Sequence, residues 1–463
     1  MFRRRTVDML QGPIVKGLLA LTMPIMVMNV LQTLFNVIDM WALGQFVNDK
    51  AVGAVGACGT LITLCTGLLT GISTGANVIV AKHIGEGDRE KTDRATGTSL
   101  LFSVVGGLVL MIIGLVFAET FLRWTNCPES LMPQAVIYFR IFFLGVPVLL
   151  LYNFGASVLR ATGDTKRPLM FSLIGGVTKV VLTVGCIVIF HWDVEGVAVA
   201  TIISNALAAG LSYFVIAKGN DKTYVSLKTL KFYAEELKAI LYVGIPTGLQ
   251  LALYSFANVI ITATVNSFGA DATTGISIAN QFDGILYTIS CAPSLATIPY
   301  VAQNIGAGNI KRARQTVTRS IFITVVFGAT FGSLSAIFSG QLSATMSSTP
   351  AVIQYSQQKM IIISSTYFIC GINEIMGGAL KGMGKPIIPT VATLLFMCAI
   401  RFVWVYGIFP LCPNLTFLYL IWPIGWILSI AMLLIAYFPT MRKLQKQFTP
   451  QEIPLENYKK RLA

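Results

Sequence analysis

Ala81-Lys-His-Ile-Gly85-Glu-Gly87-Asp88 and Ala302-Gln-Asn-Ile-Gly306-Ala-Gly308-Asn309 are one phrase written twice, 221 residues apart. Leu159-Arg-Ala-Thr-Gly163 returns at the same distance as Leu380-Lys-Gly-Met-Gly384, and Asn36-Val-Ile returns 222 residues on as Asn258-Val-Ile. Pro24 and Phe46 are matched likewise by Pro246 and Phe268. Several matches at one offset mark an internal repeat, which is one structural unit used twice. Each Ile-Gly-x-Gly phrase closes a long apolar run. Its glycines supply a tight turn, and no Lys-Ser/Thr follows them to make a phosphate loop.

Between such turns the apolar runs number twelve, at roughly 14–43, 51–81, 95–118, 131–159, 168–190, 196–217, 239–268, 272–301, 315–339, 353–380, 386–410 and 416–438. Each exceeds the roughly 20 residues a helix needs to cross about 30 Å of hydrocarbon. Six runs per repeat is an even number, so both halves enter from one side and are related by an axis along the membrane normal, with a path between them. The expected fold is therefore an all-α polytopic membrane protein of twelve transmembrane helices in two six-helix lobes. Its parts are an N-terminal lobe over 1–217, a linker over 218–238, a C-terminal lobe over 239–440 and a tail over 441–463.

A chain of 463 residues that is 55% hydrophobic, 12% charged and +0.73 in mean hydropathy is neither soluble nor disordered. The first apolar run is too long for a signal peptide and lacks a small-residue cleavage pattern, so it reads as a retained span. The formal charge of +14 could point to nucleic acid, but its distribution points elsewhere. All of the 34 lysines and arginines except Lys50, Arg123, Arg140, Lys179, Lys359 and Arg401 fall in the termini or in alternate connections. By the positive-inside rule these are cytoplasmic, which puts both termini inside a bacterial cytoplasmic membrane and the charge against anionic lipid, with no nucleic-acid partner. The linker's Leu227, Leu230, Phe232 and Tyr233 would rest on that interface. Eight scattered cysteines in no metal-like spacing predict neither a disulfide framework nor a metal site.

The first run carries a polar stripe, Asn29, Gln32, Asn36 and Asp39, whose 3, 4, 3 spacing puts the four on one helix face. A carboxylate within a span is a candidate functional group by default. Counting 1.5 Å per residue from the span ends sets Asp39 roughly 8 Å deep, Thr183 roughly 12 Å and Lys179 roughly 18 Å, a gap that a lysine stem can partly close. The expectation is a switchable Asp39–Lys179 pair. A conformational change that exchanges this cationic neighbour for a dry pocket would turn proton affinity into a coupling device.

In the second half Ile261 stands in place of Asp39, and the ionisable residues are Asp283, Glu374 and Arg401. Depth counting puts Asp283 and Arg401 in the outer half of the membrane, so they are expected to pair, with Glu374 apart near the basic end. Gln32, Asn153, Asp283, Glu374 and Arg401 are the expected lining of a substrate cavity, where carboxylates and aromatic rings suit an organic cation. The plentiful methionines and phenylalanines suit adaptable binding. Pro24, Pro246 and Pro293 are hinge candidates.

Asp8-Met-Leu-Gln-Gly12-Pro-Ile, Asn36-x-x-Asp39, Leu159-Arg-Ala-Thr-Gly-Asp164, Gln303-Asn-Ile-Gly-Ala-Gly308 and Arg401-Phe-Val-Trp-Val-Tyr406 together resemble the multidrug and toxic compound extrusion family, in its bacterial multidrug-exporter branch. The resemblance implies export of cationic or amphipathic compounds in exchange for H⁺ or Na⁺, with Asp39 matching the first-helix acid to which the family's coupling is attributed. One departure is informative. Lys179 and Thr183 stand where many members carry an Asn-x-x-x-Asp or Asn-x-x-x-Asn pattern in the fifth span, so an ammonium replaces an amide oxygen. That favours H⁺ over Na⁺, with Asp39, Asn36, Lys179 and Thr183 as the coupling group.

The expectation is thus a monomeric antiporter for multidrug efflux, with small-molecule substrates, membrane lipids as partners and no cofactor. The rival is a flippase of a lipid-linked oligosaccharide precursor, a function found in the wider group around that family. With only His83 and His191, and no catalytic motif, no enzyme is expected. No filter-like loop suggests a channel.

Overall fold

The computed structural model describes residues 6–47, 49–125, 127–218 and 230–448, which form helices and short turns with no strand among the described residues. In the first half these are α1 (Ile14–Phe46), α2 (Asp49–Glu86), α3 (Arg89–Trp124), α4 (Met132–Leu144), α5 (Val146–Ala161), α6 (Lys166–Val188) and α7 (Val194–Ala217). The second half has α8 (Ala234–Asn266), α9 (Ala270–Gly306), α10 (Ile310–Ile337), the short α11 (Ser339–Ala344), α12 (Pro350–Ser364) and α13 (Tyr367–Gly382). Two further helical spans, Ile387–Leu411 and Leu415–Phe448, complete it.

Among the described residues, ten helices are long and apolar enough to cross a membrane, and twelve if each of two broken pairs is one span. The pairs are α4 with α5 and α12 with α13, each bent by 47°. They occupy equivalent places in the two repeats. Pro147 brings no N–H to the start of α5, and the Ser365-Thr366 turn stops α12, with Thr366 Oγ1 donating back to the Ile362 carbonyl at 3.0 Å. By contrast α1, α8 and α9 run unbroken through Pro24, Pro246 and Pro293. Exposed apolar side chains such as Val105, Val109, Ile112 and Val116 on α3 belong against lipid.

Of the expected linker, residues 219–229 lie outside the described residues, as do 449–463 of the tail. α8 begins at Ala234, ahead of the apolar run, because Glu235 and Glu236 favour a helix N-terminus. The last helix continues past residue 440 to Phe448.

The repeated turns have a shared construction. Gly87 and Gly308 hold φ of 72° and 70°, and the next residue caps the following helix. Asp88 accepts from the Lys91 amide at 2.9 Å, and Asn309 from the Arg312 amide at 3.1 Å. At the other repeated phrase, Gly163 and Gly384 take φ of 87° and 72°.

At this lysine- and arginine-rich end the lobes close on each other. A Cβ on Gly85 would collide with the Gln303 carbonyl, and one on Gly306 with the Lys82 carbonyl. The two contacts exchange under the pseudo-two-fold. Gln303 Nε2 also donates to the Ala161 carbonyl at 2.6 Å. The segment before α1 straps the lobes together: Val7 N–H bonds the Gly163 carbonyl at 3.0 Å, while the Met9 carbonyl accepts from Asn304 Nδ2 at 3.0 Å and Arg312 Nε at 3.1 Å. Along the bundle α2 meets α8 backbone to backbone, with Gly71 on Gly248, Gly75 on the Ile240 carbonyl and Gly244 on the Ile72 carbonyl. Small residues permit this approach where lipid supplies no hydrophobic drive between helices.

Candidate functional site

Three of the four stripe residues on α1, all but Asn29, line a cavity of about 640 Å³ inside the first lobe. Gln32, Asn36, Asp39, Asn153 and Lys179 all line it, with Tyr138, Phe142 and Tyr152 among the aromatic walls. A volume of this order suits a small organic ligand. Asp39 and Lys179 are its only charged residues among those described.

The structure brings the expected coupling residues together. Lys179 Nζ lies 2.5 Å from Asp39 Oδ2 and donates to Asn36 Oδ1 at 3.4 Å. Thr183 Oγ1 donates to Asp39 Oδ1 at 3.3 Å. Thr183, one turn beyond Lys179 on α6, thus serves the second carboxylate oxygen, so both acceptors are occupied. Both charged side chains are largely buried, at 12% exposure for Lys179 and 7% for Asp39. A pair this dry requires its partners, since removing one leaves an uncompensated charge. Gln32 Nε2 reaches Ser172 Oγ at 3.5 Å, and Asn153 Nδ2 donates to the Leu149 carbonyl at 3.0 Å.

Asp283, Glu374 and Arg401 do not line this cavity. The expected pairing of Asp283 with Arg401 is overturned: Asp283 Oδ2 lies 2.8 Å from Lys359 Nζ on α12, and Lys359 also donates to Asn280 Oδ1. Arg401 Nη1 instead donates to Asn258 Oδ1 on α8 at 2.7 Å. Depth counting gives a residue's level but not its direction around the helix axis. Arg401 stands between two π-helical stretches, Leu394–Ala399 and Trp404–Ile408, and each π turn takes up extra residues and re-aims the side chains that follow. Sequence reasoning missed Lys359 as Asp283's partner, although it breaks the repeat by standing where the first half has Tyr138.

Arg401 is 1% exposed, and its Nη2 has no hydrogen-bond acceptor. Its guanidinium lies 5.7 Å from the Tyr254 ring and 5.2 Å from the Trp422 ring, and Lys359 Nζ is 5.8 Å from the same Trp422. Two cations therefore share one indole with a single carboxylate, Asp283, between them in the balance of charge. Glu374 is half-buried on α13, and Ser294 Oγ of α9 donates to its main-chain carbonyl at 2.8 Å. Lys381 and Glu374 stand at the repeat positions of Arg160 and Asn153, so the second half gains a carboxylate where the first has an amide.

All eight cysteines are free, and no cluster of metal-ligating side chains occurs among the described residues.

The MatE family model matches the chain twice, over residues 24–184 and 246–406. The probable multidrug resistance protein YpnP of Bacillus subtilis is 28% identical over 404 residues, which cover 85% of this chain and 88% of that protein. A protein of Shewanella oneidensis named FAD transporter is 24% identical, covering 83% of this chain and 86% of that one. A solved multidrug resistance MATE family transporter in an outward-facing conformation superposes with a TM-score of 0.88 at 19% identity, covering 96% of this chain and all of that one.

Proposed function

Because this chain belongs to the MatE family of membrane transporters, we propose that it is a proton-coupled antiporter exporting cationic or amphipathic organic compounds, with Asp39 as the proton carrier. The observation that supports this reading is the Asp39–Lys179 pair, 2.5 Å apart in the wall of a cavity of about 640 Å³. Relatives named as multidrug resistance proteins support the substrate class.

Protonation and pairing compete for one carboxylate. A proton on Asp39 removes the charge that balances Lys179, so the cavity gains one net positive charge and repels an organic cation held against Tyr138, Phe142 and Tyr152. Loss of the proton on the opposite side restores the pair and readies the cavity. Asn36 holds Lys179 while Asp39 is neutral, and Thr183 keeps the carboxyl oriented. The ammonium occupies the place where a sodium ion would need an amide oxygen, which favours H⁺ as the coupling ion.

In this proposal the basic end is cytoplasmic, as are both termini, in a bacterial cytoplasmic membrane. Lobes 1–217 and 239–440 of a monomer rock about the path between them, and closure at Gly85 and Gly306 corresponds to the state open to the outside.

The test is uptake of a fluorescent cationic dye into everted vesicles, whose cytoplasmic face is outward, under an imposed ΔpH (acid inside) or an imposed outward Na⁺ gradient. Acceleration by ΔpH alone is expected, and its loss in Asp39→Asn. Acceleration by Na⁺ alone overturns the coupling ion, and no response to either overturns antiport.

A specific observation favours a second reading, in which the substrate also carries an anionic aromatic group. Arg401 holds an unpartnered Nη2 between Tyr254 and Trp422, and one relative is named for a flavin dinucleotide. Arg401→Lys would then lose transport of a flavin nucleotide at least tenfold while keeping dye efflux.

A further inference from the structure

A second cavity, of about 710 Å³, opens at the basic end, away from Asp39. Its walls come from both lobes. Ile79 and Lys82 of α2 stand on one side, and on the other Lys238 and Tyr242 of α8, Lys385 just beyond α13, and Lys443 of the last helix. Four lysines meet a single carboxylate, Glu235. Lys82 leans toward Glu86 at 3.6 Å, whereas Lys238, Lys385 and Lys443 have no carboxylate partner among the described residues. Like charges gathered around a void repel one another, and an anion placed there would relieve the repulsion.

Apart from Thr440 and Gln447, the rest of the lining is apolar or glycine, with Val78, Val243, Ile305 and Leu444 among it. The apolar character continues out of the cavity along α8. Tyr242, Ile245 and Leu249, at 50%, 50% and 47% exposure, follow a 3, 4 spacing on one face and cover roughly 10 Å of the span. The neighbouring helix, whose Thr390 Oγ1 donates to the Pro246 carbonyl at 2.8 Å, adds Ile387 at 48% exposure. A basic recess at headgroup level that runs into an exposed apolar track matches an amphiphile with an anionic head and a hydrocarbon tail.

We propose that this recess binds one anionic phospholipid, its phosphate among Lys238, Lys385 and Lys443 and an acyl chain along Tyr242, Ile245 and Leu249. Because Ile79 and Lys82 belong to the first lobe and the three unpaired lysines to the second, the lipid bridges the lobes at their closed end. It strengthens the closure made by Gly85 and Gly306, and it acts without touching the cavity that holds Asp39.

The test is native mass spectrometry of the full-length protein in detergent, titrated with phosphatidylglycerol or phosphatidylcholine. The wild type is expected to retain one phosphatidylglycerol at least tenfold better than phosphatidylcholine. The Lys238→Gln/Lys385→Gln/Lys443→Gln protein loses that preference, while Lys238→Arg/Lys385→Arg/Lys443→Arg keeps it. A control that neutralises Lys91, Lys166 and Lys311, at the same end but outside the recess, also keeps it. Equal retention of the two lipids by the wild type, unchanged retention in the glutamine protein, or equal loss in the control overturns the site. Displacement by inorganic phosphate as effective as by a short-chain phosphatidylglycerol overturns the lipid and leaves a phosphate site.

Discussion

Lys179 and Arg401 make the same hydrogen bond in the two lobes: each donates to the asparagine 143 positions before it, Asn36 at 3.4 Å and Asn258 at 2.7 Å. Only the first lobe adds an acid beside that asparagine, Asp39, where the second has Ile261. The cation-to-amide contact is therefore shared framework, and the carboxylate is what distinguishes one lobe from the other.

The coupling between Asp39 and Lys179 is measurable as a double-mutant cycle. Each single change, Asp39→Asn or Lys179→Ala, strands one partner of a dry pair, and the double change strands neither. The double variant is expected to unfold at a higher temperature than the sum of the single losses allows, with an interaction energy of about 1–3 kcal/mol. Additive losses would mean that the pair carries no energy.

Lys359 is the more buried of the two paired lysines, at 3% exposure against 12% for Lys179. Truncation of Lys359 to methionine should destabilise the protein by about 3–5 kcal/mol, and by more than Lys179→Met, because Asp283 Oδ1 has no hydrogen-bond partner of its own while Asp39 keeps Thr183. Restoration of stability by adding Asp283→Asn separates charge from packing. Equal melting temperatures for the two lysine variants would refute the ranking.

Gly85→Ala and Gly306→Ala each drive a methyl group into a backbone carbonyl of the other lobe, at Gln303 and Lys82. Either should force the basic end apart, read as a longer distance between spin labels on α2 and α9 and a loss of transport of at least tenfold. Gly87 has φ of 72° with nothing near its Cβ position, so Gly87→Ala should cost about 1 kcal/mol of stability and leave that distance unchanged. A Gly87 effect as large as that of Gly85 would point to turn strain and not to contact between lobes.

Asp164, in the turn between α5 and α6, gives a pH signature. Burial holds its carboxyl above the ordinary 3.8, although Arg167 Nε stands 3.3 Å away and pulls the other way. The folded state therefore binds this proton more readily than the unfolded chain, and the contribution of Asp164 to stability falls as pH rises from 3.8. Asp164→Asn should flatten the pH dependence of the melting temperature in that range. Parallel profiles for variant and wild type would exclude the assignment.

The number of spans, the two-fold repeat and the polar stripe were legible because each is a pattern along the chain: length, offset and period. The level of Asp39 and Lys179 followed from the 1.5 Å rise, and their contact needed only a flexible stem between known depths. What remained hidden depends on angle. The partner of Asp283 is chosen by the direction Arg401 takes between two π stretches and by where the 47° break leaves α12. Neither leaves a periodic trace. The strap from Val7 to Met9 was equally hidden, since main-chain carbonyls that accept from Asn304 and Arg312 carry no side-chain code.

The glycine contact of α2 with α8 has no equal at the corresponding contact of α1 with α9, where Gly17 lies beneath the phenol of Tyr300. Turning about a line where backbone lies on backbone asks no side chain to change rotamer, so that line works as an axle. On the opposite flank, turning must lift a ring whose hydroxyl is 3.5 Å from Arg312 Nη2. In the proposed rocking, one flank serves as a bearing and the other as a catch, like a door hung on one side.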